Sequence, residues 1–402
     1  MIAGREGGRW QVVRRENAMP MKVAGLFAGV GGLELGLAQS GHRTKLLCEI
    51  EEGASAVLGH RFPGIELRND VRTLDRLPKG IDLLTAGFPC QDLSQAGLTR
   101  GIGGKRSGLV EEVFRLAETN NIPNLLLENV SFMLHLHRGQ AMRQVVGRLE
   151  ELGYQWAYRV LDSRAFGVPQ RRERVYVLAS RDFDPAGTLF HEDVGEPDHG
   201  SHSGVACGFF WTEGIRGLGW AIDAIPTLKG GSTIGIPAPP AIWMPDGRIV
   251  TPDLRDAERL QGFPIDWTQP AESITKRTHR WKLVGNAVSV GTAAWVGRCL
   301  SLPARKHDRA LTVLKPKDSW PDAACGGPQG MRYAVAASAW PVQMTRPSLL
   351  DFLKYEPRLL SHKAVSGFLS RLESSTLRYP PEFLEALKVH RERMATEPTR
   401  AA

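Results

Sequence analysis

KVAGLFAGVGGLELGLAQS, residues 22–40, decides the fold. Val23, Ala24 and Leu26 form a short apolar run that ends in glycines. GLELGLAQS then repeats apolar residues at helical spacing, and Gly41 is placed to stop that helix in the left-handed region. A strand that turns through glycines into a helix is the opening unit of an α/β sheet. The pattern continues downstream. TKLLCEIE, IDLLTAGF, NLLLENV and RVYVLAS read as further strands, and Trp156, Tyr158 and Val160 alternate with period two. LVEEVFRLAET carries Leu109, Val113, Leu116 and Ala117 at helical spacing. Met142, Val145, Val146, Leu149 and Leu152 trace a second helical stripe, closed by Gly153. Strands apolar on both faces and alternating with helices predict a doubly wound sheet, whose ligands bind at the carboxyl ends of its strands.

The 402 residues suffice for two or three domains. No uncharged apolar run is long enough to cross a bilayer, so no membrane association is expected. Residues 1–20 are charged, lack an apolar signal core and read as a disordered leader, with Met19 or Met21 as alternative starts. The five cysteines, Cys48, Cys90, Cys207, Cys299 and Cys325, are scattered and never in C-x-x-C spacing. That argues against a disulfide framework and a metal site, and for a reducing interior. The net charge of +8 favours a polyanionic partner. Its distribution says more: residues 159–181 hold six arginines against two acids, and residues 271–310 hold eight Lys/Arg against two acids. Such clusters suit phosphate contacts or merely solvated faces.

After Ser180 the helical period fades. Residues 181–275 are expected to form a smaller, irregular, β-rich domain after a first body of 21–180. RWKLVGNAVSVGTAAWVGRCL is apolar nearly all round and reads as one buried helix. Residues 303–402 read as a mainly helical C-terminal extension, with helices around SLLDFLKY and PEFLEALKVHRERM.

The chemistry-bearing residues fall at the strand ends. FAGVGG (27–32) lets a ligand approach the backbone at a helix N-terminus. It lacks the Lys-Ser/Thr of a triphosphate loop. Glu49, ending the next strand, can take both ribose hydroxyls, and Asp70 lies in reach of an adenine. An adenosine-containing cofactor fits; at this step a dinucleotide and S-adenosylmethionine both remain open. Cys90 follows Pro89 directly after a strand. A free cysteine is most often a small buried hydrophobe, but as a thiolate it can attack an electron-poor ring carbon. Glu128, in ENV, follows its own strand and can donate to a ring nitrogen if burial keeps it protonated. Gln170, Arg171, Arg172 and Arg174 lead into the last strand, where arginines can hold a carbonyl or a phosphate.

Taken in order, these motifs resemble the DNA (cytosine-5)-methyltransferase family of bacterial and phage modification systems. FAGVGG resembles its cofactor loop, GFPCQDLSQAG its nucleophile motif, LLLENV its acid motif and QRRERVYVLA its arginine motif. ERLQGFP and VGNAV resemble its closing motifs. The match covers residues 22–300. The resemblance implies a Rossmann-like S-adenosylmethionine-dependent fold with a small target-recognition domain, and a catalytic domain of 21–180 completed by 276–302, because Asn286 and Val288 would close its cofactor pocket. It implies methyl transfer to C5 of a cytosine flipped out of duplex DNA, through a covalent bond between Cys90 and C6. Glu128 would hydrogen-bond N3, Arg174 would hold O2, and Arg172 would lie near the thiol or a phosphate. Phe27, Gly29, Gly31, Gly32, Glu49, Asp70, Pro89, Leu109, Asn286 and Val288 would hold the cofactor. Gln91, Ser94, Arg100, Arg106, Gln170 and Arg171 would meet DNA, the first four from a glycine-rich lid over 91–108. No metal is implied. A cytoplasmic, nucleoid-associated monomer is expected, with a cognate restriction endonuclease as functional partner.

The variable piece, about 181–222, is short for a recognition region; Phe209, Phe210, Trp211 and Trp220 within it either pack a core or read bases. Three other readings stay in view: a tRNA cytosine-5 methyltransferase, a catalytically dead DNA-binding relative, and, more remotely, a dehydrogenase.

Overall fold

The computed structural model describes residues 20–89, 108–231, 237–303, 305 and 307–396. Most of the leader, together with Cys90, Gln91, Ser94, Arg100 and Arg106 and nearly all of the expected lid, lies outside these residues.

The opening stretch forms β1 (Lys22–Leu26) and α1 (Gly32–Gln39), and Gly41 has φ +88°. There follow β2 (Arg43–Cys48), α2 (Glu52–Arg61), β3 (Glu66–Arg68), β4 (Leu83–Ala86), α3 (Leu109–Thr119), β5 (Asn124–Val130), α4 (Gln140–Glu151), β6 (Gln155–Asp162), β7 (Gln170–Arg171) and β8 (Glu173–Ser180). Strands β3, β2, β1, β4 and β5 run parallel in that spatial order; β8 is antiparallel to both β5 and β6. Each face of the sheet has its own core. Leu125 and Leu127 of β5 meet α3 and α4 through residues such as Phe114 and Val145. Leu126, pointing the other way as strand period demands, joins Leu33 and Leu37 of α1 and the late helix that carries Trp295.

After β8 the chain stays on the catalytic body longer than expected. Helix α5 (Pro185–Leu189) and Phe190 belong to the second core, and the buried Arg159 guanidinium binds the Leu189 and Glu192 carbonyls. Only then does the second sheet begin: β9 (Cys207–Phe209), β10 (Ala221–Ile222), β12 (Ala241–Trp243) and β13 (Ile249–Thr251). Strand β11 (Ile225–Pro226) instead pairs with β7, tying the two bodies together.

Helix α6 (Leu254–Leu260) leads back to the catalytic body. The stretch expected as one buried helix is two, α7 (Arg280–Asn286) and α8 (Val290–Leu300). The break at 287–289 has a cause. Arg172 takes the Ala287 carbonyl at 2.6 Å, and α1 packs so closely against the break that a Cβ on Gly32 would stand 2.3 Å from the Val288 carbonyl. Ser289 stands at the N-cap position of α8 but makes no side-chain cap bond there, its hydroxyl donating instead to the Gln261 side-chain oxygen at 3.0 Å.

The tail was expected to be mainly helical. Its second half is, with α9 (Leu349–Phe352), α10 (His362–Glu373) and α11 (Pro381–Thr396). Its first half adds β14 (Leu311–Val313), β15 (Ala323–Gly326) and β16 (Arg332–Val335) to the catalytic sheet, with β15 antiparallel to β6. Strand β17 (Arg358–Leu359) pairs with β13, and α10 and α11 cover the second sheet. Phe209 lies in that shared core, 4.9 Å from the Phe383 ring, and Trp211 and Trp220 pack beside it.

Candidate active site

The ends of β1, β2 and β4 open onto one cavity of about 470 Å³. Phe27 and Gly29 line it from the glycine loop, with φ values of +52° and +55°. Nothing lies within 4 Å of where a Gly29 Cβ would be, so its backbone faces open space. The Gly29 N–H donates to Glu49 Oε2 at 2.7 Å, and the Glu51 N–H donates to Glu49 Oε1 at 2.8 Å. The two bonds aim the carboxylate and leave lone pairs on both oxygens. Burial pushes the Glu49 carboxyl up from its ordinary value, and those two N–H donors oppose it.

Asp70, on another wall, caps the turn that follows β3 and holds the Arg72 guanidinium with both oxygens. Its carboxyl sits below its ordinary value because of that arginine. Pro89, Leu109 and Asn286 complete the expected lining. Gly31, Gly32 and Val288 do not line the cavity. A Cβ on Gly31 would strike the Phe62 ring at 2.4 Å, and one on Gly32 the Val288 carbonyl. These glycines let α1 pack closely, which shapes the loop from behind. Sequence reasoning missed Ile50, an exposed apolar side chain on the cavity wall, and Glu51, which caps α2 and holds His279 at 2.7 Å. The signal for both was adjacency to Glu49 in TKLLCEIE.

One turn away stands the acid. Glu128, at the end of β5, is 7% exposed, and its Oε1 lies 3.3 Å from Arg174 Nε. Burial raises its pKa, while Arg174 and then Arg172 oppose the rise. Gly87 separates this carboxyl from the cofactor cavity: a Cβ there would stand 3.6 Å from Glu128 Oε2 and 3.8 Å from the Phe27 carbonyl. Asn129 donates to the Phe88 carbonyl at 2.9 Å, so the chain entering position 90 is fastened beside Glu128.

Among the described cysteines none offers a nucleophile. Burial pushes the thiols of Cys48 and Cys325 up to about 12 and that of Cys207 up to about 11, and raises that of Cys299 as well. Such thiols stay protonated at neutral pH.

One of the arginine-motif expectations changes, and Arg172 gains partners the motif does not show. Arg172 is 2% exposed; its two terminal nitrogens donate to the carbonyls of Leu228, Gly285 and Ala287, its Nε is buried with no hydrogen-bond partner among the described residues, and the thiol expected near it, Cys90, lies outside them. Burial and the neighbouring Arg174 lower its pKa to about 9, which still leaves it charged at neutral pH. Gln170, expected on DNA, is fully buried: its amide donates to the Leu260 carbonyl and accepts from the Leu228 N–H. Arg171 is half-buried beside it in the β7–β11 ladder. Among the described residues no group of three or more His, Cys, Asp or Glu could hold a metal, and no helix is long and apolar enough to cross a membrane.

Known proteins resemble this chain throughout. The family model for C-5 cytosine-specific DNA methylase matches residues 21–200. Type II methyltransferase M2.BsuMI of Bacillus subtilis (strain 168) is 46% identical over 382 residues, 92% of this chain and 97% of that protein. A match of that extent includes much of the tail. Type II methyltransferase M.BanI of Aneurinibacillus aneurinilyticus is 36% identical over 45% of this chain and 43% of its own. Among solved structures, Schizosaccharomyces pombe Dnmt2 methyltransferase superposes over 70% of this chain and 97% of its own, with a TM-score of 0.52 and 18% identity, a likeness of fold alone.

Proposed function

This chain belongs to the C-5 cytosine-specific DNA methylase family, and from that premise we propose how its own residues carry out methyl transfer to C5 of a cytosine in duplex DNA. The cavity beside Gly29 and Glu49 takes S-adenosylmethionine. Its volume lies within the range of small-molecule sites, roughly 300–1,000 Å³. Its donor set suits an adenosine: an aimed carboxylate for ribose hydroxyls, Asp70 for an amino group, and apolar walls at Ile50 and Leu109 for a ring and a chain. When bound, that cofactor supplies an electrophilic methyl group.

The cytosine enters on the other side of Gly87. Cys90 thiolate adds to C6 while Glu128 donates its proton to N3, which makes C5 electron-rich. Arg174 holds O2 and keeps Glu128 oriented through the contact between them. After C5 has been alkylated, its proton passes to a base such as water, elimination expels the Cys90 thiolate, and N3 returns its proton to the Glu128 carboxylate, which restores the neutral ring. Arg172 acts at one remove, by fixing the backbone on which Asn286 stands. The observation that carries this reading is the turn Gly87–Pro89. It borders the cofactor cavity on one side and Glu128 on the other, and it delivers the chain directly to Cys90.

The test supplies methyl-labelled S-adenosylmethionine with duplex DNA and with tRNA in parallel. Label in DNA at C5, abolished by Cys90→Ala, is the expected result; label confined to tRNA, or undiminished in the variant, contradicts it. A cytoplasmic enzyme that works as a monomer beside a restriction endonuclease remains part of this proposal.

A further inference from the structure

The Proposed function leaves open how the short second domain meets DNA, and the following rests on that reading. Residues Phe210–Gly219 form a tight loop between β9 and β10. The Phe210 N–H binds the Leu218 carbonyl at 2.7 Å, and the Gly214 N–H binds that of Gly217 at 3.1 Å. The two residues at its tip are Ile215, 56% exposed, and Arg216, also exposed. The tip thus presents one apolar and one cationic side chain side by side to solvent.

The loop is braced from both sides. Behind it stands the tail: Arg371 of α10 donates to the carbonyls of Glu213 and Trp211 at 2.7 and 2.9 Å, and the Phe368 ring lies 3.0 Å from where a Gly214 Cβ would be. In front stands Lys229. Its ammonium binds the Glu213 carboxylate and lies 3.7 Å from the centre of the Phe210 ring. The adjoining Gly230 packs against Asn286, on the wall of the cofactor cavity. The bracing thus ties the loop through Lys229 and Gly230 to the Asn286 wall of the cavity, and through Arg371 to the tail.

We propose that Ile215 and Arg216 form a base-reading tip that contacts duplex DNA beside the target cytosine, and that Arg371 of the C-terminal helices is its positioning residue. An arginine donates two parallel hydrogen bonds to the major-groove edge of guanine, and an apolar neighbour suits a thymine methyl group. The tip supplies one of each.

The sites methylated by the full chain are first mapped by bisulfite sequencing. Wild type, Arg216→Ala, Ile215→Ala, Arg371→Ala and Arg371→Lys are then compared on a duplex carrying that site and on duplexes with one neighbouring base pair changed. Arg216→Ala should lose about ten- to a hundredfold of its preference for the proper site, with cofactor affinity and melting temperature unchanged. Ile215→Ala should lose less. Arg371→Ala should lower the same preference, and Arg371→Lys should restore part of it; a role confined to folding would move the melting temperature and leave preference intact. Arg216→Ala with wild-type discrimination, from an active wild type, overturns this inference alone. A wild-type chain that transfers no methyl group to any DNA overturns the earlier reading and this one with it.

Discussion

The side chain of Asn129 donates to the carbonyl of Phe88 across 2.9 Å, joining the end of β5 to the turn that leads into Cys90. The same turn carries Pro89 into the cofactor cavity. In the proposed mechanism this hydrogen bond holds the turn that leads to Cys90 against the strand that carries Glu128. Asn129→Ala should lower the rate of transfer about ten- to a hundredfold, since misplacement of reacting groups by an ångström costs on that order. Cofactor affinity should hardly change, because Asn129 contributes nothing to the cavity wall. Steady-state kinetics on labelled cofactor separate the two; a raised KM for the cofactor with an intact kcat contradicts this assignment.

Glu128 must be neutral to donate to a ring nitrogen. Its burial favours that form, and Arg174 opposes it. Glu128→Gln keeps the shape and a donor but cannot surrender a proton. It should slow single-turnover transfer by at least about a hundredfold, at the low end of what a positioned acid contributes, and leave DNA affinity close to wild type. A duplex with 5-fluorocytosine at the target should still trap wild-type Cys90. A loss in DNA affinity alone, with chemistry untouched, would remove Glu128 from the acid role.

Much of this was legible in the sequence because it is periodic or punctuated. Short runs apolar on both faces, helices of period 3.6 and glycines at their junctions gave β1, β2, β4, β5 and β8, and with them the strand ends that carry Phe27, Glu49, Pro89 and Glu128; the three-residue β3 before Asp70 shows no such run. Residues whose task depends on a partner distant in the chain were not legible. Arg172 looks like a phosphate ligand beside Arg171 and Arg174, yet its partners lie at 228, 285 and 287. Gln170 looks exposed beside the same arginines, yet Leu260 and Leu228 close over it. The break in RWKLVGNAVSVGTAAWVGRCL is invisible for the same reason: Arg172 takes the Ala287 carbonyl, and Gly32 packs on that of Val288, both from more than a hundred positions away. The tail deceived differently, since short strands such as β14 and β17 carry too few residues to show a period.

Glu34 gives the chain a pH dependence unrelated to catalysis. It lies in α1, 1% exposed, with Thr85 donating to Oε1 at 3.1 Å, and a Cβ on Gly25 would stand 2.3 Å from that oxygen. Burial raises its pKa to about 7. The folded state therefore binds this proton more tightly than the unfolded state, so the group's contribution is complete below about pH 4.5 and is lost as pH rises through about 7. The linked change is on the order of 3 kcal/mol. Glu34→Gln, which keeps the size and the acceptor for Thr85, should flatten the melting temperature between pH 5 and pH 8 and raise it at pH 8. Parallel pH profiles for wild type and variant would show this group silent.

Arg172 offers a choice between chemistry and architecture. Its guanidinium joins Leu228 to Gly285 and Ala287, across the junction of the two bodies. Arg172→Lys cannot reach both sides with one ammonium, so buried carbonyls lose their donor at about 1–3 kcal/mol each. The expected result is a lower melting temperature, by an amount corresponding to about 3 kcal/mol, with activity falling in step. A variant that melts like wild type but has lost its kcat would return Arg172 to the reacting atoms.

Phe383 tests whether the tail is an accessory or half of a domain. It is fully buried on α11, 4.9 Å from the rings of both Phe209 and Trp220 and 5.5 Å from that of Trp243. All three partners belong to the second domain, and His390 on the same helix accepts from the Ile249 N–H of β13. Phe383→Ala should cost about 3–5 kcal/mol, the usual loss for a large aromatic removed from a closed core. Phe383→Leu, which fills more of the space, should cost less. The damage should also be local. The cofactor cavity is built from β1, β2, β4 and α7 and shares no wall with this cluster. Titration with S-adenosylmethionine should therefore still saturate under conditions where Phe383→Ala has lost DNA binding. If the variant binds DNA and melts as wild type does, the tail is an accessory, and the second domain holds its shape without it.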